Sequence, residues 1–487
     1  MLRFEPFSIP ALQKALPYIR QNPSLLSDLS AGYLFMWHEG ADVQFCVWND
    51  TFLVREIIGE QPAFSYPFGA DPDGMVDELI RYASDKHLPL RFFAVNERNL
   101  ADICADRRLQ PSMYAFDRKW SDYLYDFEEA RNFRGRKYNG QRNHVNRFRK
   151  LYGDPVIRFL TEEDRPAVEE MLAKYADAHP PVNLLEGLEL KRTKALYDVC
   201  QTLGLYAAGL FVEEKLAALS IGEVTGDMLM IHVEKALTCY EGIYPTMYSG
   251  FVRLLGEYLG RPLRFVNRED DSGDPGIRMS KLQYHPFSIE NKYLVHVNSP
   301  ALRMPPSAIL RRGDVVLTEI RESDKEAYML LNTDVENNRY WGYDYREDLS
   351  ITGPVDEDTF FDSVTYDMRA GDSVNFAVRL AEDGPMIGEA VLWNFTSDGI
   401  AEVGCRIARE HQGKGYGRAA FAALADFAAC SLRLRIMARC FKENLPSCRM
   451  ITTSGFSRCC SDDSYYYFSY HGEEKVCRTS RCHNVSD

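Results

Sequence analysis

The sequence lacks several features that would place it in a specialised class of protein. No apolar run reaches the ~18 residues that a membrane-spanning helix needs. The first residues do not form a charged-then-apolar secretory pattern, and low-complexity tracts are missing. These absences predict a cytoplasmic globular protein with no transmembrane segment.

Cysteine pairs of the kind that hold structural zinc are also missing. Eight of the twelve cysteines lie between Cys405 and Cys482, but they do not form two close-spaced C-x2–4-C pairs. We therefore expect no metal site and interpret the cysteines as reduced thiols that pack as small apolar side chains.

Positive charge is scarce overall and concentrated in one segment. The 487 residues carry a formal net charge of −14, yet residues 131–150 hold eight Lys and Arg side chains and no acid. Such a segment favours a phosphate-bearing partner, such as a nucleotide, a tRNA end or an anionic headgroup. The alternative is a solvated helix face that pairs with upstream acids such as Glu128 and Glu129. The candidate ligand-binding residues of this segment are Arg136, Lys137, Arg142 and Asn143.

The rest of the N-terminal half reads as alternating strands and helices. Residues 32–37 and 43–48 are predicted strands, and the predicted strand at 264–266 ends in an acidic loop. The glycines of that loop are out of register for a calcium-binding loop. A loop at a strand end often carries function, so Glu269, Asp271 and Arg278 are candidates for binding or proton transfer.

A strand, a glycine-rich turn and an apolar helix follow one another between Ala401 and Cys430. Glycines let a phosphate approach backbone N–H groups at the positive end of a helix. The turn, Gln412-Gly413-Lys414-Gly415-Tyr416-Gly417, matches neither the P-loop nor the dinucleotide fingerprint. Its Gln-x-x-Gly-x-Gly spacing resembles the pyrophosphate loop of the GNAT N-acetyltransferases, which bind acetyl-CoA.

Further segments extend this resemblance in the expected order. The strand end at 405–407 matches the segment that pairs with the pantetheine arm, and Asn444-x-x-Ser447 matches a motif near the lower part of CoA. The aromatic loop with Trp341 resembles the ribosomal-protein N-acetyltransferase branch. The resemblance implies acetyl-CoA as cofactor and a small-molecule or peptide amine as acceptor. The implied cofactor-binding residues are Cys405, Arg406, Ile407, Gln412, Gly413, Lys414, Gly415, Tyr416, Gly417, Arg418, Asn444 and Ser447.

Acyl transfer to an amine requires that the ammonium lose a proton. Alternate residues of a strand share one face, which groups Glu402 with Gly404 and Arg406 and makes Glu402 a candidate base. The alternative is that Glu402 pairs with an arginine of a neighbouring strand. The tyrosine that protonates the leaving thiolate in many GNAT enzymes falls at Ile451, so Tyr466 or Tyr467 is the candidate acid.

A second resemblance covers about residues 10–297. Its motifs are Ser121-Asp122-Tyr123-Leu124-Tyr125, Gly135-Arg136-Lys137-Tyr138, Gln141-Arg142-Asn143-His144, Asn267-Arg268-Glu269-Asp270 and Lys281-Leu282-Gln283-Tyr284-His285-Pro286. They resemble the DUF2156 family, which is similar to the soluble catalytic part of phosphatidylglycerol lysyltransferases. That resemblance implies a tandem of two GNAT-like units, and the lysyltransferases use aminoacyl-tRNA as donor.

Together the two resemblances predict an α/β (α+β) chain of three GNAT-like units, each a mixed twisted sheet flanked by helices. The expected boundaries are 1–155, 156–298, a linker at 299–312 and an acetyltransferase domain at 313–487. The main hypothesis is an N-acetyltransferase that works through the third unit. One alternative is an aminoacyl-tRNA-dependent transferase that works through the tandem. Another is that the tandem is a non-catalytic module that binds an anionic ligand.

Overall fold

The computed structural model describes residues 2–22, 24–305 and 307–472. The tail cysteines Cys477 and Cys482 lie outside these ranges. Within them, no helix is both long and apolar enough to cross a bilayer.

The first part of the chain forms seven strands and four helices among the described residues. The strands are β1 (Glu5–Pro6), β2 (Gln44–Trp48), β3 (Thr51–Ile58), β4 (Gln61–Ser65), β5 (Phe68–Gly69), β6 (Leu90–Val95) and β7 (Ser112–Phe116). The helices are α1 (Ile9–Ile19), α2 (Ala31–Ala41), α3 (Pro72–Asp85) and α4 (Glu97–Ala105).

The predicted strand at 32–37 is wrong, because these residues lie in α2. Ser30 caps this helix by accepting a hydrogen bond from the Tyr33 backbone N–H at 3.4 Å. A short apolar run cannot by itself distinguish a strand from a buried helix, and here packing against a helix of the next part of the chain decides the outcome.

The second part continues the tandem. Its strands are β8 (Asp122–Asp126), β9 (Val156–Phe159), β10 (Tyr206–Val212), β11 (Lys215–Thr225), β12 (Met228–Ala236), β13 (Phe265–Asn267), β14 (Ser288–Glu290) and β15 (Tyr293–Val297). Its helices are α5 (Phe127–Asn132), α6 (Asn139–Tyr152), α7 (Arg165–Ala178), α8 (Leu184–Leu203), α9 (Ile243–Leu259) and α10 (Pro275–Leu282).

The third part carries the glycine-rich turn. Its strands are β16 (Leu310–Arg312), β17 (Val315–Glu319), β18 (Val374–Arg379), β19 (Gly388–Trp393), β20 (Ile400–Ile407), β21 (Arg435–Phe441), β22 (Phe456–Ser461) and β23 (Tyr465–Tyr470). Its helices are α11 (Lys325–Thr333), α12 (Val335–Asn338), α13 (Glu357–Ala370), α14 (Tyr416–Cys430) and α15 (Leu445–Thr453).

Three mixed sheets repeat one plan. Their orders are β1-β2-β3-β4-β6-β15-β7 with β5 beside β3, β14-β8-β13-β12-β11-β10-β9, and β16-β17-β18-β19-β20-β21-β23-β22. Among the described strands each sheet has one parallel pair, namely β4 with β6, β12 with β13, and β20 with β21. The helices α3, α9 and α14 connect these pairs, since a parallel connection needs a crossover. The prediction of three units with mixed sheets flanked by helices is confirmed.

The first two sheets exchange strands. In the third sheet β23 lies between β21 and β22, but the corresponding position in the first sheet is filled by β15, which follows the second unit. In return β8, which precedes the second unit, lies between β13 and β14. Along the chain, the change from the first sheet to the second therefore occurs between β7 and β8. A boundary at residue 155 does not separate the two sheets, because β8 precedes it and already belongs to the second sheet.

The third unit docks on the tandem beside β7 and β15. Arg91 Nη2 lies 2.9 Å from Asp372 Oδ2, and the Ser397 hydroxyl donates to the Ala83 carbonyl at 3.1 Å. The end of the predicted linker forms β16 at the edge of the third sheet. This docking brings the turn between β3 and β4 against the third sheet.

Candidate functional site

A cleft opens in the third unit where β20 and β21 separate. The two strands pair in parallel from Ile400 to Glu402, opposite Arg435 to Met437, and no described pairs continue beyond this point. The resulting cleft has a volume of about 490 Å³. It is lined by the end of β20, the glycine-rich turn and the start of α15. Strand separation leaves backbone polar groups of β20 available to a ligand on this side.

The cleft contains most residues that the sequence pattern assigned to a cofactor. They are Cys405, Arg406, Ile407, Gln412, Gly413, Gly415, Tyr416, Gly417, Arg418, Asn444 and Ser447. Lys414 does not line it, because its ammonium group donates to the Glu410 carbonyl at 2.9 Å. Lys414 thus points away from the cleft, while Gly413 and Gly415 on either side of it line the cleft.

The glycine-rich turn is shaped to receive an anion. Gly413 and Gly415 have φ of 75° and 87°, where side chains are disfavoured, and a Cβ on either would meet no heavy atom within 4 Å. Gln412 fixes the approach to the turn by donating to the Ile407 carbonyl at 2.8 Å. Helix α14 begins with no side-chain cap, so its first N–H groups are available to a phosphate. The residues present therefore fit the pyrophosphate of an acyl-CoA.

Arg406 supports the aromatic wall of the cleft. Its buried guanidinium lies 2.7 Å from Glu389 Oε2 and donates to the side-chain oxygens of Asn332 and Asn338, both at 2.8 Å. It also lies 4.9 Å from the ring centroid of Trp341, a favourable cation–π distance. The side chain of Arg406 is therefore occupied in holding the Trp341 loop, and its backbone is the part that can serve a cofactor.

Asn444 and Ser447 begin the helix that forms the lower side of the cleft. Asn444 Oδ1 accepts a hydrogen bond from the Ser447 backbone N–H at 3.2 Å and so caps α15. The Asn-x-x-Ser spacing is thus explained by helix capping, and both residues also line the cleft.

Glu402 lies where β20 and β21 separate. Its Oε1 is 3.0 Å from Arg439 Nε, and its Oε2 accepts from Asn394 Nδ2 at 3.0 Å. Burial raises the pKa of Glu402 to about 7; Arg439 opposes this rise and Glu60 adds to it. The structure contains the predicted alternative, an ion pair with an arginine of the neighbouring strand, and it also gives this carboxyl group the pKa of a base suited to neutral pH.

Glu60 was missed by sequence reasoning. It lies in the turn between β3 and β4 of the tandem, forms an ion pair with Arg439 and accepts from Asn394 Nδ2 at 3.0 Å. Glu60 therefore contacts Arg439 and Asn394, which are the same two side chains that contact Glu402. Glu60 and Glu402 are more than 300 positions apart in the 487-residue sequence, and no local signal connects them.

Among the tyrosines of β23, the one that lines the cleft is Tyr465, which sequence reasoning also missed. Its ring lies 4.4 Å from Phe441, and the guanidinium of Arg439 is 5.3 Å from its centroid. Tyr466 points to the opposite face of β23, where Arg458 lies 4.8 Å from its ring, so it does not line the cleft. Tyr467 donates its hydroxyl to Asp462 at 2.6 Å. The register of β23 against β21 decides which tyrosine faces inward.

The basic segment 131–150 uses part of its charge internally. Lys137 Nζ lies 2.6 Å from Glu129 Oε2, and Arg142 donates to the Gly135 carbonyl at 2.7 Å. The Lys137 contact matches the alternative of pairing with upstream acids, whereas Arg142 is bound by the backbone of its own segment. Arg136 and Asn143 are exposed, and across the described part of the chain neither side chain has a hydrogen-bond or ion-pair partner. The side chains of Arg134 and Lys150 are likewise exposed and have no such partner in the described ranges.

The acidic loop after β13 is closed by ion pairs. Asp271 is fully buried; its Oδ2 accepts from Arg278 Nε at 2.8 Å and from the Tyr123 hydroxyl at 2.5 Å. Glu269 Oε1 lies 2.7 Å from His232 Nδ1, and the other ring nitrogen of His232 faces Glu223. The three candidates of this loop therefore lie in one region, but Asp271 and Arg278 already bind each other.

Burial by itself lowers the pKa of His232, but hydrogen bonds to Glu223 and Glu269 outweigh it and raise the pKa to about 10. His232 is therefore an imidazolium in this network at neutral pH. A second buried cation, Lys292 on the segment before β15, lies 2.7 Å from Asp28, 2.8 Å from Asp122 and 3.5 Å from Asp270. Neither residue was identified from the sequence.

The cleft, the glycine-rich turn and the repeated sheets define a GNAT acyltransferase unit that follows a tandem of the same fold. Residues 314–457 match the acetyltransferase (GNAT) domain, and residues 21–296 match the family described as phosphatidylglycerol lysyltransferase, C-terminal. The second match spans more than half of the chain, so the chain belongs to that family and carries an additional GNAT domain.

Three other proteins are similar to parts of this chain. A conserved protein of unknown function from Bacteroides thetaiotaomicron is 26% identical, with a TM-score of 0.55 over 61% of this chain and 100% of that chain. The uncharacterized N-acetyltransferase YnaD of Bacillus subtilis is 27% identical over 141 residues, which are 26% of this chain and 83% of YnaD. An uncharacterized protein of Mycoplasmoides gallisepticum is 26% identical over 179 residues, 36% of this chain, and only 56% of that protein's length is covered.

Proposed function

We propose that the third unit transfers the acetyl group of acetyl-CoA to a primary amine. The observation that carries this proposal is the position of Glu402, whose carboxyl group, with a pKa of about 7, lies at the split between β20 and β21. The anion-binding turn opens into the same cleft.

When bound, acetyl-CoA supplies a thioester with a good leaving group. Gly413, Gly415 and the first turn of α14 would hold its pyrophosphate, and the backbone of β20 beyond its last described pair with β21 would hold its pantetheine arm. Glu402 accepts the proton that the amine must lose, directly or through water. The amide C–N bond would form as the thioester C–S bond breaks, and the hydroxyl of Tyr465, which lines the cleft, would donate a proton to the departing thiolate.

Calorimetry and a thiol-release assay test this proposal together. The full-length chain should bind acetyl-CoA, and a primary amine should then release free CoA. The Glu402→Gln variant should keep acetyl-CoA binding but lose transfer, since general-base catalysis contributes about 10²–10⁴-fold. Failure of the unchanged chain to bind acetyl-CoA would exclude the proposal.

A second candidate function is aminoacyl transfer from tRNA by the tandem. It is favoured by the family of the tandem together with the exposed Arg134, Arg136 and Lys150, which have no acidic partners among the described residues. Phosphate contacts make binding fall steeply with salt, by about −0.7 in log–log slope per contact for a single strand.

A matched pair of variants tests this second function. The double variant Arg134→Gln/Arg136→Gln should weaken tRNA binding and flatten its salt dependence. Arg147→Gln should change less, because Arg147 Nε already lies 2.7 Å from Glu241 Oε1. Binding of aminoacyl-tRNA without loss of its aminoacyl group would indicate the binding-module alternative.

A further inference from the structure

A second cavity adjoins the cofactor cleft between the third sheet and the tandem. It has a volume of about 530 Å³. The two cavities share one wall, which consists of Glu60, Trp341, Gly342, Trp393, Arg406 and Arg439. An acceptor in the second cavity would therefore meet the cofactor cleft at Glu402 and its partners.

Both parts of the chain build this cavity. The turn at Ile58–Gln61 and the side chains of Arg91 and His296 come from the tandem, and α13 and the face of β18–β20 come from the third unit. Glu60 holds the turn in place through its ion pair with Arg439. The isolated third unit would thus lack one side of the cavity.

The arginines that line the cavity are already neutralised. Arg91 pairs with Asp372 at 2.9 Å, Arg406 pairs with Glu389 at 2.7 Å, and Arg439 pairs with Glu402 and Glu60. Burial lowers the pKa of His296, so its ring is neutral at pH 7.

Two carboxyl groups of the cavity have no ion-pair partner among the described residues. Within the described ranges the Asp348 carboxyl group accepts only from the Tyr343 hydroxyl at 2.9 Å and from the Ser350 backbone N–H at 2.8 Å. The carboxyl group of Asp367, in α13, has no hydrogen-bond or ion-pair partner in the described ranges, although it is partly buried. Burial, and then the neighbouring Asp372, raise the pKa of Asp367 to about 7, although Arg91 opposes this rise. An unpaired carboxyl group in such surroundings gains most from a cationic ligand, which would restore its ionised form.

Aromatic side chains form a large part of the remaining lining, beside aliphatic and neutral polar residues. They include Tyr328, Tyr343, Tyr366, Trp341, Trp393 and Phe395. Aromatic rings bind aliphatic chains by apolar contact and ammonium groups by cation–π attraction.

We propose that this cavity is the acceptor site and that it selects a small aliphatic amine with a second cationic group. The reacting amine lies near Glu402 and Glu60, and the second cationic group lies against Asp367. This inference rests on the proposed acetyl transfer and adds the substrate class. The new amide bond forms at the amine near Glu402, CoA leaves as the thiol, and the second cationic group keeps its charge.

Single acetylation of a diamine follows from this arrangement. For a second transfer, the product would have to turn round and place a neutral amide against Asp367. We expect the second acetylation to be at least tenfold slower than the first.

Calorimetry with a matched pair of amines tests the inference. 1,4-Diaminobutane and n-butylamine are titrated separately into the full-length chain saturated with CoA. The diamine should bind at least tenfold more tightly, and Asp367→Asn should remove that preference while CoA affinity stays the same. Asp362→Asn is the control, because Asp362 lies on the same helix but is exposed and does not line this cavity.

The outcomes separate this inference from the proposed function. If CoA binds but the diamine does not, or the diamine and monoamine bind equally, the inference is wrong and acetyl transfer to another amine stands. An unchanged preference in Asp367→Asn would overturn it as well. Absence of CoA binding would remove the proposed function and this inference with it.

Discussion

Arg439 Nε lies 3.0 Å from Oε1 of Glu402. The candidate base on β20 is therefore paired with a cation on β21, the strand that separates from β20 at this point. The same guanidinium also pairs with Glu60 of the tandem. One arginine therefore divides its charge between two carboxylates from different units. The basicity of Glu402 consequently depends on how the tandem is docked.

The rate of transfer should report the ionisation of Glu402. With a pKa of about 7, the carboxyl group is protonated at pH 6 and ionised at pH 8, so kcat/KM should rise through about pH 7. The Glu402→Gln variant should lose this inflection together with about 10²–10⁴-fold of the rate. A pH profile with one amine measures both effects, and an inflection that persists in the variant would assign it to another group.

Replacement of Arg439 and replacement of Glu60 should shift the pKa of Glu402 in opposite directions. Arg439 lowers the pKa of Glu402 and Glu60 raises it. Arg439→Gln should therefore shift the inflection of the rate profile to higher pH, and Glu60→Gln should shift it to lower pH. Acetyl-CoA affinity, measured by calorimetry, should remain similar in both. Shifts in the same direction would contradict the ion-pair arrangement.

The glycine-rich turn should not tolerate a side chain at Gly415. Its φ of 87° disfavours alanine, and the added Cβ would project into the space left for the pyrophosphate. We expect Gly415→Ala to weaken acetyl-CoA binding at least tenfold. Gly399→Ala is the matched control, since Gly399 has a φ of 81° in a turn outside the cleft. Equal loss of affinity in both variants would indicate a general loss of stability instead.

Removal of the buried Lys292 should destabilise the tandem. Burial by itself lowers the pKa of this ammonium group, but Asp122, Asp28 and Asp270 raise it well above its usual value, so it is charged at neutral pH. Lys292→Met would leave three carboxyl groups without their cation, at a cost of about 3–5 kcal/mol at pH 7. Urea unfolding followed by circular dichroism measures this loss.

The loss in Lys292→Met should be smaller at pH 5 than at pH 7. Without the cation the buried carboxyl groups of the folded variant have raised pKa values and hold protons that the unfolded chain has released. The folded state then binds more protons than the unfolded state, so stability falls as pH rises. Lys174→Met, in an exposed pair with Glu170, should change little at either pH.

Sequence patterns predicted the features that depend on neighbours along the chain. The glycine-rich turn and the Asn444 cap are set by local backbone geometry, and their order along the chain was enough to indicate a GNAT unit. The strand predicted at 32–37 was wrong, because burial on all sides hides the period that distinguishes a helix from a strand. The sequence predicted Tyr466 or Tyr467 and missed Tyr465, because the face that each side chain of β23 occupies depends on how β23 pairs with β21.

The sequence by itself determined the anion-binding turn, since the conformation of these contiguous residues follows from short-range sterics and hydrogen bonding. Its resemblance to two families indicated the three-unit plan and the family of the tandem. Only the tertiary structure decided the strand exchange between the first two sheets, the position of Glu60 beside Arg439 and the unpaired state of Asp367. These features depend on contacts between residues far apart in the chain. Side-chain burial and charge pairing, which set the chemistry of the site, arise only when the tandem and the third unit pack together.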